Sequence, residues 1–354
     1  MRDLTTLPKA HLHVHLESTI RWSTLRELDP SVPGPDAGGE FGGFRAFGGF
    51  RAFDGFRAFA DRNAAIRRSL RTPAHFERVA REFCEDQAAD GVRYAEVTFT
   101  AASHGERLGD PAIPLEAVLA GLAAGGAATG LEWRVVLDHS RRQSPERAWR
   151  TLDLARTHAG DGVVAIGVAG DEAHPLTPFA AVFDAAREAG VHLVHHAGET
   201  HGPASIREAL DAGHAERLGH GIRVLDDERL VAEVRDRGVP LEVCPSSNVA
   251  LGLAASFAEH PLPALRAAGL AVTLATDIPN LAGVTLTDEF ARCRRHFGWD
   301  DASLAALAVA GADASFAPEA TKAGLRAAIA AWLAAPGPTS PCRRTASSGP
   351  GTRP

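Results

Sequence analysis

Cysteine is scarce: there are four in 354 residues and none forms a CxxC pair, so neither a thiolate zinc site nor a disulfide framework is supported. Cys84, Cys244, Cys293 and Cys342 are expected to be reduced and structural. Cys244, in LEVCPSSN at a strand end, has the placement of a nucleophile, but no His–acid pair stands beside it in sequence. Aromatic residues make up only 6%, whereas hydrophobic residues reach 45%, driven mainly by alanine. That balance describes a helix-rich globular chain and not a disordered or fibrous one. No basic block stands out among 37 Lys and Arg set against 44 Asp and Glu, a formal net charge of −7, which argues against nucleic acid as a partner. The opening MRDLTTLPKAHLHVH lacks the apolar stretch of a signal peptide, and no 18-residue apolar run is free of charge. The expectation is a cytoplasmic protein without a membrane partner.

Eight apolar or alternating runs, at 11–16, 91–99, 131–137, 162–168, 191–196, 216–220, 239–243 and 270–276, are separated by Ala/Arg/Glu-rich helical stretches. In FERVAREFCEDQAADG at 76–91, Phe76, Val79, Ala80 and Phe83 recur at helical spacing and the pattern stops at Gly91. FAAVFDAAREAG at 179–190 repeats the arrangement and ends on Gly190 just before VHLVHH. Strand–helix alternation predicts a parallel sheet covered on both faces, and eight units favour closure into a (β/α)8 TIM-type barrel, with a doubly wound open sheet as the alternative. One barrel domain over 1–335 accounts for the length. A tandem hexapeptide interrupts it at 42–59: GGFRAF, GGFRAF, DGFRAF. It reads either as a slippage expansion within a loop or helix, or as an aromatic flap over a pocket, because it follows the first strand. The segment 336–354, rich in Pro, Gly, Ser and Arg, is expected to be a disordered tail.

Histidine combines with acid in HLHVHLE at 11–17, HAGE at 196–199, LGHG at 218–221 and TD at 276–277, each at a strand or its end. Strand ends far apart in sequence converge at one mouth of a parallel barrel. His11, His13 and His15 alternate and so share one face of their strand, with Leu12, Val14 and Leu16 on the other. A His-x-His pair places two ring nitrogens on one metal, and His11, at the lower end, suits a supporting role. His196 ends another strand, Gly198 permits a tight turn, and Glu199 can then reach a substrate and not the metal. His195 faces away from His196 and suits packing against a helix. His220 ends a further strand between Gly219 and Gly221, and Asp277 brings a carboxylate to the same rim. Neutral imidazoles with one carboxylate suit a borderline divalent ion that keeps a water at an open position, zinc first. Such an ion activates water, Glu199 can shuttle protons and His220 can orient the attacking oxygen, so the implied chemistry is hydrolytic attack on an sp² carbon. A two-His-one-carboxylate iron oxygenase is the weaker metal reading, since a third imidazole and a separate Glu199 serve hydrolysis better.

The ordered set PKAHLHVHLE, VAGDE at 168–172, HAGE, RLGHG, CPSSN at 244–248, HP at 260–261 and TDIP resembles the adenosine deaminase family from about residue 7 to residue 330. The resemblance implies the metal-dependent hydrolase (β/α)8 barrel and one zinc ion per chain held by His13, His15, His196 and Asp277. It further implies Glu199 as the acid that protonates the purine ring, His220 as the group that positions the hydroxide, and His15, Glu17, Gly170 and Ile278 as residues facing a small-molecule purine nucleoside. The sequence departs from the family pattern at three places. Glu17 and Ser18 stand where Asp and Gly are usual, Thr98 where Arg is common, and Ile278 where a second Asp bonds the purine. Losing that buried, charge-assisted bond costs roughly 1.5–3 kcal/mol. The reading is therefore a zinc aminohydrolase for adenosine or a related 6-aminopurine nucleoside. The alternatives are an aminodeoxyfutalosine-type deaminase with altered ribose-end specificity and a catalytically weak nucleoside-binding paralogue.

Overall fold

The computed structural model describes residues 1–32, 45–47, 50–52 and 55–335. The expected tail at 336–354 and part of the repeat at 42–59 lie outside them. The described parts of the repeat are an antiparallel pair, Arg45–Phe47 with Phe50–Ala52, and the start of helix Gly55–Ser69.

Eight parallel strands pair in strict chain order: β1 (Lys9–His11), β2 (Val92–Phe99), β3 (Glu132–Ser140), β4 (Val163–Ala169), β5 (His192–Ala197), β6 (Arg217–His220), β7 (Leu241–Val243) and β8 (Val272–Leu274). Consecutive order with helices between is the barrel topology, so the open-sheet alternative does not apply. The expected first strand at 11–16 is shifted: regular pairing ends at His11. Beyond it the chain runs between Thr98 and Asp277 through single bridges, Val14 with Asp277 and His15 with Thr98, before turning into the short helix Leu16–Ser18. These bridges are the seam of the barrel. The Asp277 N–H donates to His13 O at 3.0 Å, the His15 N–H donates to Asp277 O at 3.0 Å, and the Thr98 N–H donates to Val14 O at 2.9 Å.

Most strand residues are buried, because helices cover the outer face of the barrel. Pro73–Ala89 starts with a proline at its first turn, where no amide bond is lost, and buries Phe76, Val79, Ala80 and Phe83. It packs against Ala112–Thr129, where a side chain at Gly121 would strike the Glu77 carbonyl at 2.2 Å. Ala112–Thr129 is long and apolar enough to cross a membrane by length and composition alone, and half of it is buried in this fold. Cys84, Cys244 and Cys293 are free and buried.

Inside the barrel, charge replaces hydrocarbon on one vertical line. Arg217, at the start of β6, is 1% exposed. Its Nε donates to Glu242 Oε1 at 2.7 Å, its Nη1 to Ala314 O at 3.0 Å and its Nη2 to Glu96 Oε2. The guanidinium also stacks 3.8 Å from the centre of the Phe316 ring, and Tyr94 Oη donates to Glu96 Oε1 at 2.9 Å. A buried arginine so fully partnered leaves two carboxylates stranded if it is removed. Arg217→Met is expected to destabilise the fold by about 3–5 kcal/mol, measured as a lower denaturant midpoint at constant slope. A change below about 1 kcal/mol would show that the carboxylates find other partners.

Candidate metal centre and active site

At the mouth formed by the carboxyl ends of the strands, the residues singled out in the sequence meet. His13, His196, His220 and Asp277 each offer a ligand atom within 4.8 Å of the others. His15 adjoins this group, with Nε2 3.2 Å from His196 Nε2 and 3.3 Å from Asp277 Oδ1. His11 lies deeper, bonded to Gln87 at 2.7 Å and Thr276 at 3.0 Å, and takes no part in the cluster. His195 faces outward, bonded to Gly213 O at 2.8 Å and packed on Phe183.

The imidazoles are aimed by their neighbours. His13 Nδ1 lies 2.8 Å from Glu242 Oε2, the carboxylate that Arg217 holds from below. That bond places a hydrogen on Nδ1 and turns Nε2 into the cluster. There Nε2 is buried, 3.6 Å from Asp277 Oδ1, without a hydrogen-bond partner. An orphaned, inward-aimed imidazole nitrogen next to a carboxylate oxygen is the donor set a divalent cation needs. Burial opposes charge on His13, yet Asp277 and Glu242 outweigh it and raise its pKa to about 10. Asp277 is held well below the usual carboxylate range, since His13, His220 and His15 outweigh the effect of burial. Ser247 Oγ donates to its other oxygen at 2.6 Å.

His220 has a different task, which its bonds define. The Leu262 N–H donates to His260 Nδ1 at 3.1 Å, so His260 carries its hydrogen on Nε2 and gives it to Asn248 Oδ1 at 3.1 Å. The Asn248 amide then donates to His220 Nδ1 at 3.4 Å. Burial lowers the pKa of His260 to about 3 and that of His220 to about 4, so both rings are neutral. With Nδ1 accepting, the hydrogen of His220 sits on Nε2, which faces Glu199 Oε1 at 3.6 Å. A nitrogen that carries hydrogen donates and does not ligate.

Glu199 is partly buried, with its side chain 12% exposed, and Oε1 is sealed from solvent without a hydrogen-bond partner. Burial, followed by the charges of Asp277 and Glu172, pushes its pKa well above the carboxylate range. Its loop is knitted by Glu172, whose carboxylate accepts from the N–H groups of Gly198 at 2.7 Å, Glu199 at 2.9 Å and Thr200 at 2.7 Å. Gly198 has φ +71°, the turn expected of it. Gly219 is needed for space, because a side chain there would meet His13 Cε1 at 2.8 Å.

The mouth opens into a pocket of about 620 Å³ lined by His15, Glu17, Gly170, Glu199, His220 and Ile278, among others. Phe59, the last residue of the hexapeptide repeat, lines it too. Ile278 is 1% exposed and presents hydrocarbon to the pocket. The carboxylate of Glu17 is already engaged, by His104 Nε2 at 2.9 Å, by the Thr100 N–H at 3.4 Å and by Arg67 at 3.5 Å. Thr98 serves the seam through its backbone. Cys244 fails as a nucleophile: burial raises its thiol pKa, and its Sγ contact is the Glu242 carbonyl. Sequence reasoning assigned no role to Glu172, Glu242, Ser247, Asn248 or His260. Four of these stand in the VAGDE, CPSSN and HP segments, and Glu242 is an acid in an otherwise apolar strand.

Comparison with known proteins agrees with this geometry. The family model for adenosine deaminase matches residues 8–332. A Streptomyces virginiae protein assigned as an adenosine/adenine deaminase is 38% identical over 337 residues, 94% of this chain and 98% of that one. The crystal structure of adenine deaminase from Arthrobacter aurescens superposes with a TM-score of 0.83 at 29% identity, covering 92% of this chain and 99% of that one. A Burkholderia ambifaria amidohydrolase solved with bound zinc gives a TM-score of 0.81 at 28% identity, covering 92% and 90%.

Two outcomes are expected of metal binding. A cation at His13 Nε2 must displace the proton that Asp277 and Glu242 favour, so zinc affinity should fall about tenfold for each pH unit lowered below about 10. Chelator competition at several pH values measures this, and a flat profile would remove His13 from the ligand set. Glu242→Gln should weaken zinc about 10–100-fold in the same assay, and unchanged affinity would mean that His13 is oriented without it.

Proposed function

The chain belongs to the adenosine deaminase family, and from that premise we propose that it catalyses hydrolytic deamination of adenosine or a related 6-aminopurine nucleoside, with one zinc ion per chain held by His13, His15, His196 and Asp277. It is a metal-dependent aminohydrolase, as its relatives are. The observation that carries the finer reading is the meeting, in one pocket, of an orphaned His13 Nε2 with a Glu199 kept protonated by burial.

When bound, the metal lowers the pKa of a water towards neutrality and so supplies the nucleophile. His15 completes the ligand set in preference to His220, because the Asn248 bond makes His220 Nε2 a donor. His220 then directs that N–H at the attacking oxygen and stabilises the charge that develops there. Glu199 gives its proton to the ring nitrogen beside the attacked carbon, which moves the electron pair of the C=N bond onto that nitrogen. A carbon–oxygen bond forms, the exocyclic carbon–nitrogen bond breaks, and ammonia leaves with one proton of the attacking water while the other restores Glu199. Gly170, at φ +95°, brings backbone to the pocket wall on the purine side. Ile278 offers shape without a hydrogen bond, so this wall selects by fit. A second reading, a substrate altered at the ribose end in the manner of aminodeoxyfutalosine, is favoured by the engagement of Glu17 with His104 and Arg67.

Ammonia release from a panel of adenine, adenosine and ribose-modified adenosines, with zinc-loaded and chelated protein, tests the proposal. Turnover of at least one 6-aminopurine is expected with zinc alone, and Glu199→Gln should lower kcat about 10²–10⁴-fold. A zinc-loaded protein inert towards the whole panel would favour a binding paralogue instead.

A further inference from the structure

One side of the pocket carries a charge that deamination does not use. Arg67 and Arg68, near the end of helix Gly55–Ser69, and Arg107, on helix Ala101–Leu108, all line the cavity. These segments follow β1 and β2, across the barrel mouth from Glu199 and His220, which follow β5 and end β6. Asp138 and Asp171 also line the cavity, and the carboxylate that pairs with Arg67 is Glu17. Burial opposes its charge, but Arg67 and His104 prevail and hold its pKa at about 2. Of the three guanidiniums, Arg67 pairs with that carboxylate, which is already bonded to His104 and to the Thr100 N–H.

The arginines are not equivalent. Arg107 is tied into the fold, with Nη2 donating to Arg67 O at 3.0 Å and to His104 Nδ1 at 2.6 Å. Arg67 is different: its Nη2 is buried and has no hydrogen-bond partner, with Glu17 Oε1 at 3.5 Å as its ion pair. Arg68 is exposed at the rim. The excess positive charge is felt locally, since burial and then repulsion from Arg67, Arg68 and Arg71 lower the pKa of Arg107. Guanidinium is matched by planar or tetrahedral oxyanions, which accept two parallel N–H bonds. Ser103 and Asn63 line the same wall and add neutral polar groups.

We propose that this wall is an anion subsite, in which Arg67, Arg68 and Arg107 receive a phosphate or carboxylate carried by the substrate at the end remote from its purine amine. The inference rests on the deaminase reading for the orientation of the substrate. It extends that reading by naming the substrate class: a 6-aminopurine derivative bearing an acid, in place of neutral adenosine.

The zinc-loaded full chain is assayed with adenosine, adenosine 5′-monophosphate and adenosine 5′-carboxylate, and binding of the 6-oxo products inosine and inosine 5′-monophosphate is measured by calorimetry. At least tenfold higher kcat/KM for one acidic substrate over adenosine is expected, carried mainly by KM, and the better of the two identifies the oxyanion. Arg67→Ala should reduce that preference at least tenfold, and Arg68→Ala, at an exposed position, should reduce it in the same direction and keep the protein folded. An equal or greater kcat/KM for adenosine, or a preference unchanged in both variants, would overturn the subsite and leave the deaminase reading intact. Tighter binding of the nucleotide product than of inosine, lost in Arg67→Ala, would support the subsite even if no substrate turned over. Equal binding of the two products would refute it.

Discussion

Arg217 lies wholly inside the barrel, and a guanidinium in that position must be matched by carboxylates. Glu96 and Glu242 match it, and the second oxygen of Glu242 points upward to His13. With His13 protonated, the buried line holds two cations, Arg217 and His13, against three anions, Glu96, Glu242 and Asp277. A divalent ion that takes the place of the proton brings the set to neutrality. The bottom of the barrel thus decides the orientation of a ring at its top. A substitution near the floor can therefore alter metal affinity without touching the pocket.

The seam works in the same way. Asp277 has φ +58° and His220 has φ +63°, conformations that non-glycine residues seldom adopt and that surrounding structure must hold. For Asp277 the holding bonds are those to the backbone of His13 and His15, so the residues that would bind metal also close the sheet. For His220 the ring is fixed from its other side through Asn248 and His260. Strain is stored where two chain segments meet, and their side chains are brought together as a result.

The barrel was legible because eight apolar runs with helical spacers leave few other topologies, and seven of the eight appear within three residues of where the pattern places them. The first strand was misplaced because alternation in HLHVHLE reflects burial of both faces, not continued pairing. The cluster was legible from His and acid at strand ends. What stayed hidden were the residues that act through another side chain. Nothing in the spacing of Glu242, 229 positions beyond His13, announces their bond. Nor does the sequence reveal that Glu17 turns to His104, since that contact depends on how Ala101–Leu108 packs over the mouth.

Among the described residues of the repeat at 42–59, Phe59 lines the pocket, within a helix that starts inside the third copy. All three copies end in the same GFRAF. A gain or loss of one earlier copy through replication slippage would change the length of the connecting segment by six residues and leave the sequence entering the helix intact. The pocket-lining aromatic is thus buffered against a common kind of genetic accident.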